Sequence, residues 1–373
     1  MKIGIITFHA AFNYGSMLQA YALQTYLERL GHEASIINFR PKSQRLGYPK
    51  PIEFSSLNHA KQSIKRLLFA PLSIKPLNHK WILFDKFMHK YLHLTKEFHS
   101  LDELKNEDYN YDVLITGSDQ IWNTNTFDFS EAYFGTFVDS KIKKIAYAPS
   151  MGPNPEGLDK NYLKKLLTGY TAVSVRERRT KDFLERNGIY KNVSLVLDPT
   201  MLLDDRDYDS LIDKEPIIKG KYLFYYTPGG IRPEFLKEAL YIGDKLGLPV
   251  VYDNFYHKKD IKDYCNIYAY PETGPSEFLN LVKNATAVCG ASFHLMVFSI
   301  LFKKNFYCMN GDVDSRMNNL MVSMGLEDRI WSIIDKERNN LDEAIYSDLF
   351  NDNIDKQRKQ SSVFLSKSLA SRF

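Results

Sequence analysis

The 373-residue chain holds only three cysteines, Cys265, Cys289 and Cys308. An odd number without metal-ligand spacing excludes a disulfide framework and a cysteine zinc site, and apolar surroundings at two of the three suit reduced, buried thiols. Long apolar runs are absent as well: the longest, Leu295 to Phe302, is interrupted by Ser299 and falls well short of the roughly 20 residues that span a bilayer. Strong charge is missing too, because 49 basic and 45 acidic residues leave +4 and a pI near 8.6. That balance suits anionic small ligands or an anionic membrane surface and is too weak to argue for nucleic acid. There is no Gly-x-Gly-x-x-Gly, no Gly-x-x-x-x-Gly-Lys-Ser/Thr, no His-Glu-x-x-His and no Gly-x-Ser-x-Gly, which removes NAD, P-loop, zincin and simple serine-hydrolase roles. No His/Asp/Glu cluster has ligand spacing, so the expected chemistry uses no metal and no cofactor. The start, Met1-Lys-Ile-Gly-Ile-Ile-Thr7, turns polar within a few residues and reads as a first strand and not a signal peptide, which points to a cytoplasmic protein.

What is present is a packed globular composition, 44% hydrophobic and 14% aromatic, in a chain long enough for two cores. Ile3 to Phe8 reads as a strand, and Ala22, Leu23, Tyr26, Leu27 and Leu30 then recur at helical spacing up to Gly31. With a second strand from Ala34 to Phe39 this makes a βαβ unit and predicts parallel pairing. Further strands are expected at Asp112 to Ile115, Lys144 to Ala148, Ala172 to Val175 and Val193 to Leu197, with a helix near Thr180 to Asn187. A second sheet is expected from Tyr222 to Tyr226, Val250 to Tyr252, Ala287 to Cys289 and Asn305 to Cys308, with helices near 233–247, Ser276 to Lys283 and His294 to Phe302. The reading is α/β, with a Rossmann-like domain over 1–200, a second over 201–350, and a helix in 351–373 that packs back on the first. Residues 41–110 form an insertion with five prolines and scattered basic residues. Its amphipathic stretches Lys61 to Phe69 and Trp81 to Tyr91 would lie on a bilayer, cover a cleft or make an ordinary solvated surface.

Three polar loops follow strands: Asn13-Tyr14-Gly15-Ser16, Gly117-Ser118-Asp119-Gln120 and Gly290-Ala291-Ser292-Phe293-His294. In open α/β sheets ligands bind at the carboxyl ends of strands, which makes Asp119 the first residue to test, although Ser118 or Asp119 would also serve as a turn or helix cap. Ser292 can cap a helix that His294 begins, and exposed N–H groups at such a start favour an anion. Arg176, directly after a strand, has the planar fork that grips a carboxylate or phosphate. Its neighbours Glu177, Arg178 and Arg179 read as a solvated helix face, and Asp198 before Pro199 reads as a turn residue at the domain crossing.

Together Asn13 to Leu23, Gly117 to Asn123, Val173 to Glu177, Asp198-Pro199-Thr200 and Ser292-Phe293-His294 resemble the polysaccharide pyruvyltransferase family over roughly residues 1 to 330. The resemblance implies two Rossmann-like domains facing a cleft, as in the glycosyltransferase-B arrangement. It also implies transfer of pyruvate from phosphoenolpyruvate to two hydroxyls of a sugar or lipid-linked oligosaccharide in capsular or exopolysaccharide biosynthesis, at the inner face of the membrane if the acceptor is lipid-linked. By the same resemblance Arg176 would grip the phosphoenolpyruvate anion, His294 would be the acid or phosphate ligand and Asp119 the base or acceptor contact. Asn13, Tyr14, Gly15, Ser118, Gln120 and Ser292 would line the substrates. Many family members carry Arg-Leu-His where this chain has Ser292-Phe293-His294, and Arg316 is the expected substitute for the missing charge. A sugar-nucleotide-dependent glycosyltransferase and a non-catalytic scaffold of polysaccharide assembly are the competing readings.

Overall fold

The computed structural model describes residues 1–230, 232–255, 266–334, 346 and 348–371, so Cys265 lies outside the described residues. The first sheet has six parallel strands, β1 (Lys2–Ile6), β2 (Glu33–Ile36), β3 (Val113–Thr116), β4 (Lys143–Ala146), β5 (Tyr170–Val175) and β6 (Ser194–Leu195), in the order β2-β1-β3-β4-β5-β6. The second has five, β7 (Leu223–Tyr226), β8 (Val250–Tyr252), β9 (Ile267–Ala269), β10 (Ala287–Gly290) and β11 (Asn305–Cys308), in the order β11-β10-β7-β8-β9. Strands β3, β7 and β10 are buried at every position, which is why they read as unbroken apolar runs and not as alternating ones. The edge strand β9 was not expected, because its residues Tyr268 and Ala269 are exposed and its sequence carries no such run.

Helix α1 (Tyr14–Arg29) follows β1 and is buried over most of its length, because it packs on its own sheet and on two helices of the second unit. The insertion between β2 and β3 folds as α2 (Lys42–Gly47), α3 (Leu57–Phe69), α4 (Ile74–Tyr91) and α5 (Leu101–Lys105). Helix α4 starts well before the expected Trp81, since Pro76 falls in its first turn, where a missing N–H costs no intrahelical bond. Helices α6 (Lys160–Leu166) and α7 (Arg178–Arg186) complete the first unit; α8 (Pro233–Leu246), α9 (Pro275–Asn284), α10 (Phe293–Leu301) and α11 (Ser315–Met324) surround the second sheet.

The long α12 (Asp348–Ala370) joins the two units. Gln357 donates to Ser323 O at 2.8 Å in the second, while Arg358 donates to Met201 O and Leu203 O and Ser361 Oγ accepts from Leu197 N at the end of the first. Lys143 on β4 donates to Leu369 O, so the helix ends against the first sheet. One continuous apolar core runs from Ile3, Leu18 and Leu23 through Phe278 and Leu295 to Leu365, so the seam between the sheets is packed and not merely touching.

Candidate active site at the seam

Strand order reverses between β1 and β3 in one sheet and between β7 and β10 in the other, and open α/β sheets form a crevice beyond the strand ends at such points. The loops after β1, β3 and β10 carry the residues singled out above, and the helix starts α1 and α10 meet there. Gly290 lets β10 turn at once into α10: a Cβ there would stand 1.9 Å from Tyr226 O, inside any permitted contact. Ser292 caps α10 through Leu295 N, and the next turn presents His294.

At the centre is a buried guanidinium. Arg176 Nε donates to Glu177 Oε1 at 2.8 Å, and Nη1 donates to Asp198 Oδ2 at 2.6 Å and Ser118 Oγ at 3.1 Å. Its Nη2 lies 3.9 Å from Asp119 Oδ1, and its ring-facing side stacks on Phe293 at 4.4 Å. Burial works against the Arg176 charge, but Glu177, Asp198 and Asp119 outweigh it and raise the guanidinium above its ordinary range. Asp198 is held from every side: Ser118 Oγ donates to Oδ2 at 2.7 Å, and Thr200 donates to Oδ1 from its hydroxyl at 2.6 Å and its backbone N–H at 3.1 Å. Burial alone would raise the Asp198 carboxyl; His294, then Arg176 and Thr200, more than reverse this and leave it well below the usual carboxylate range.

His294 Nε2 stands 3.6 Å from Asp198 Oδ2, beyond hydrogen-bond reach but close enough for an ionic attraction. That nitrogen is buried and has no hydrogen-bond partner among the described residues. The other side of the ring presses on Gly15, where a Cβ would come within 1.9 Å of Nδ1. Across the cluster Asp119 sits at φ 71°, a left-handed conformation that Asp tolerates better than most residues and that is typical of functional loops. Its Oδ2 accepts from Ser16 Oγ at 2.5 Å and its Oδ1 from Gln120 N at 2.8 Å. Asp119, Arg176, Ser118 and His294 therefore share one cluster with Gly15.

The other expected residues are placed differently. Asn13 spends its carbonyl on the N–H groups of Gly15 and Ser16, as the cap of α1. Tyr14 is a clasp between the units: its hydroxyl donates to Asp253 Oδ2 at 2.7 Å and its ring stacks on Phe84 and Phe278. Gln120 accepts from Asn123 at the cluster's edge. Arg316 is bound by its own neighbour, with Nε and Nη2 at 3.0 and 2.6 Å from the two oxygens of Asp314, so its fork is closed on that edge. Asp198, read from sequence as a turn residue, is the hub. Its cap to Thr200 is indeed local, but no local signal announces the partners Arg176, Ser118 and His294.

One cavity adjoins this cluster and a second opens in the insertion. The first, of ≈ 280 Å³, is lined by Arg176, Asp198 and Phe293 together with Arg178, Asn319 and Lys356 of α12. The second, of ≈ 310 Å³, lies between Phe12, Tyr48 and Trp81 and the cations Arg40, Lys42, Arg45 and Lys50. Into its walls are built Gln44, whose buried amide has neither donor nor acceptor engaged among the described residues, and a Trp81 indole N–H that finds no acceptor among them. Burial, then the charges of Asp128 and Asp119, raise the Tyr48 phenol in its wall. Among the described residues no group of three His, Cys, Asp or Glu side chains is arranged to hold a metal ion.

Among solved structures the chain is similar to the UDP-GlcNAc 2-epimerase from Methanocaldococcus jannaschii, at 15% identity and TM-score 0.51, covering 98% of this chain and 100% of that one. It is similar also to the UDP-GlcNAc 2-epimerase from Neisseria meningitidis bound to UDP-GlcNAc, at 12% identity and TM-score 0.52, covering 100% of both. At such identities the likeness is one of fold alone, two Rossmann-like domains facing a cleft in the glycosyltransferase-B manner. No curated relative matches the sequence. The family described as polysaccharide pyruvyl transferase matches residues 13–313. That span runs from the α1 cap to just short of Arg316 and contains every member of the buried cluster, and the chain belongs to the polysaccharide pyruvyl transferase family.

Proposed function

We propose that the protein moves the pyruvyl group of phosphoenolpyruvate onto two hydroxyls of one sugar, closing a cyclic ketal and releasing inorganic phosphate. The observation that carries this reading is the buried Nε2 of His294 at the start of α10, 3.6 Å from the Asp198 carboxylate and without a hydrogen-bond partner among the described residues. An imidazole so placed, 3.6 Å from a carboxylate oxygen, is suited to deliver a proton and then to hold the departing phosphate. The enol carbon takes a proton from His294 and becomes a methyl group, which leaves an oxocarbenium-like centre at the phosphate-bearing carbon. One sugar hydroxyl adds there and gives its proton to Asp119. The second hydroxyl then displaces phosphate, and its proton leaves with the phosphate. One diol and one phosphoenolpyruvate thus become one ketal and one hydrogen phosphate, with no oxidant or further reactant.

Arg176 is a positioning residue in this scheme. Its Nε and Nη1 are engaged by Glu177, Asp198 and Ser118, and it fixes Asp198, Phe293 and the approach to Asp119. The cations free to meet the donor's carboxylate and phosphate are Arg178 and Lys356 in the ≈ 280 Å³ cavity. The acceptor belongs in the insertion cavity, where Trp81, Tyr48 and Phe12 offer flat faces to a sugar. The test is ligand-induced stabilisation. Phosphoenolpyruvate at a hundredfold excess over its dissociation constant should add about 2.7 kcal/mol, while UDP- and GDP-sugars add nothing. Stabilisation by a nucleotide sugar and none by phosphoenolpyruvate would overturn the reading.

A further inference from the structure

Helix α3 is built inside out. Its polar residues face the protein: His59 Nε2 donates to Leu46 O at 2.9 Å while Ser55 Oγ donates to His59 Nδ1 at 2.9 Å. Ser63 Oγ donates to Glu53 O and accepts from Glu53 N, both at 2.8 Å, and Arg66 donates to Pro51 O. The opposite face, Leu57, Ile64 and Leu68 at helical spacing with Leu67, Phe69 and Leu72 beyond, stands in solvent with exposures of 47–91%. Hydrogen bonds thus hold the helix down by the side that would ordinarily face water, and leave outward the side that would ordinarily be core. A monomeric soluble protein rarely exposes so contiguous an apolar surface without use for it.

Charge indicates what the surface meets. From Phe54 to Phe84 the chain has no aspartate and no glutamate, although it carries 45 elsewhere, while Lys61, Lys65, Arg66, Lys75 and Lys80 all fall in this stretch. Arg66 and Lys80 turn inward, the latter onto Asp253, which leaves Lys61, Lys65 and Lys75 exposed around the apolar face. A second copy seated on this face would bring two such sets of lysines together across apolar contact, where like charges repel. An anionic bilayer satisfies both features, taking the leucines and Phe69 into its interface and the lysines among its headgroups. At 13 residues α3 is too short to cross a bilayer, and among the described residues no helix is long and apolar enough to do so.

We propose that the outer face of α3 and the turn to Leu72 is a peripheral docking surface for an anionic phospholipid bilayer. Leu46, Glu53 and Ser55, to which α3 is tied, also wall the ≈ 310 Å³ basic and aromatic cavity, so docking sets that cavity beside the headgroups. The proposal goes beyond the pyruvyl transfer reading and is tested without donor or acceptor. The intact protein is sedimented with phosphatidylcholine vesicles and with vesicles containing phosphatidylglycerol. Pelleting with the anionic vesicles alone is expected, weakened by salt, and lowered about tenfold or more in Leu68→Ser/Phe69→Ser with an unchanged melting temperature. Lys61→Gln/Lys65→Gln should weaken pelleting and remove most of its salt dependence. Equal recovery with both vesicle types, unchanged pelleting of the serine variant, or a concentration-dependent dimer that this variant abolishes would overturn it.

Discussion

The seam and the insertion handle charge in opposite ways. At the seam Arg176, Asp198, Glu177 and Asp119 are buried or nearly so; Arg176 is bonded to Glu177 and Asp198, and Asp119, 3.9 Å from the guanidinium, is held by Ser16 and Gln120. In the insertion Lys42, Arg45 and Lys50 line an open cavity, and the apolar side chains of α3 point outward. Buried charges are tolerated only when paired, so substitutions at the seam should disturb fold and chemistry together. Exposed lysines and leucines hold up nothing behind them, so substitutions in the insertion should alter binding and leave the fold intact. The difference is open to attack from both ends.

The largest effect is expected for Arg176→Ala, which strands three carboxylates around an emptied site and should cost about 3–5 kcal/mol. Denaturant unfolding measures this, and Arg176→Ala/Asp198→Asn should recover part of the loss by removing one stranded charge. A single variant as stable as the parent would erase the contrast. Next comes Gly15→Ala, whose added carbon would stand 1.9 Å from His294 Nδ1 and must displace the ring. Turnover should fall about 100-fold, with a stability loss of only about 1–3 kcal/mol.

Acid titration gives a smaller signal. The Asp198 carboxyl lies lower in the folded chain than its ordinary value of 3.8, so the unfolded chain takes up the proton first as pH falls. Its contribution is fully present above about pH 5 and is lost progressively as pH drops below that range. Asp198→Asn should therefore flatten the acid limb of the stability curve; an unchanged limb would assign it to other carboxylates. The smallest change in stability belongs to Leu68→Ser/Phe69→Ser, within about 0.5 kcal/mol of the parent, read by the same unfolding experiment.

Much of this was legible in the chain, for stated reasons. Parallel strands covered on both faces leave unbroken apolar runs, which is why β3, β7 and β10 and the polar loops behind them stand out. Asp119, Arg176 and His294 were visible as charged or ionisable residues where such runs stop. Asp198 read as a turn residue, because an Asp-Pro-Thr turn explains itself locally and its burial comes from partners distant in the sequence, Arg176, His294 and, 80 positions away, Ser118. Tyr14 was read as a ligand contact because no local pattern reveals Asp253, 239 positions on, as its partner. Lys356 reaches its cavity only because α12 returns across the seam. The stretch Lys61 to Phe69 showed two faces by periodicity, but periodicity does not say which one turns inward. Here the answer came from His59, Ser63 and Arg66 finding backbone carbonyls.

The most direct test of the seam as the site of pyruvyl transfer is a single incubation of the protein with phosphoenolpyruvate and a panel of galactose-, mannose- and N-acetylmannosamine-containing acceptors, lipid-linked ones included. Released phosphate and product mass are followed together. Phosphate release in step with a pyruvyl mass gain, both abolished in a folded His294→Ala protein, is the predicted result. The same phosphate release and mass gain from His294→Ala as from the parent would contradict it.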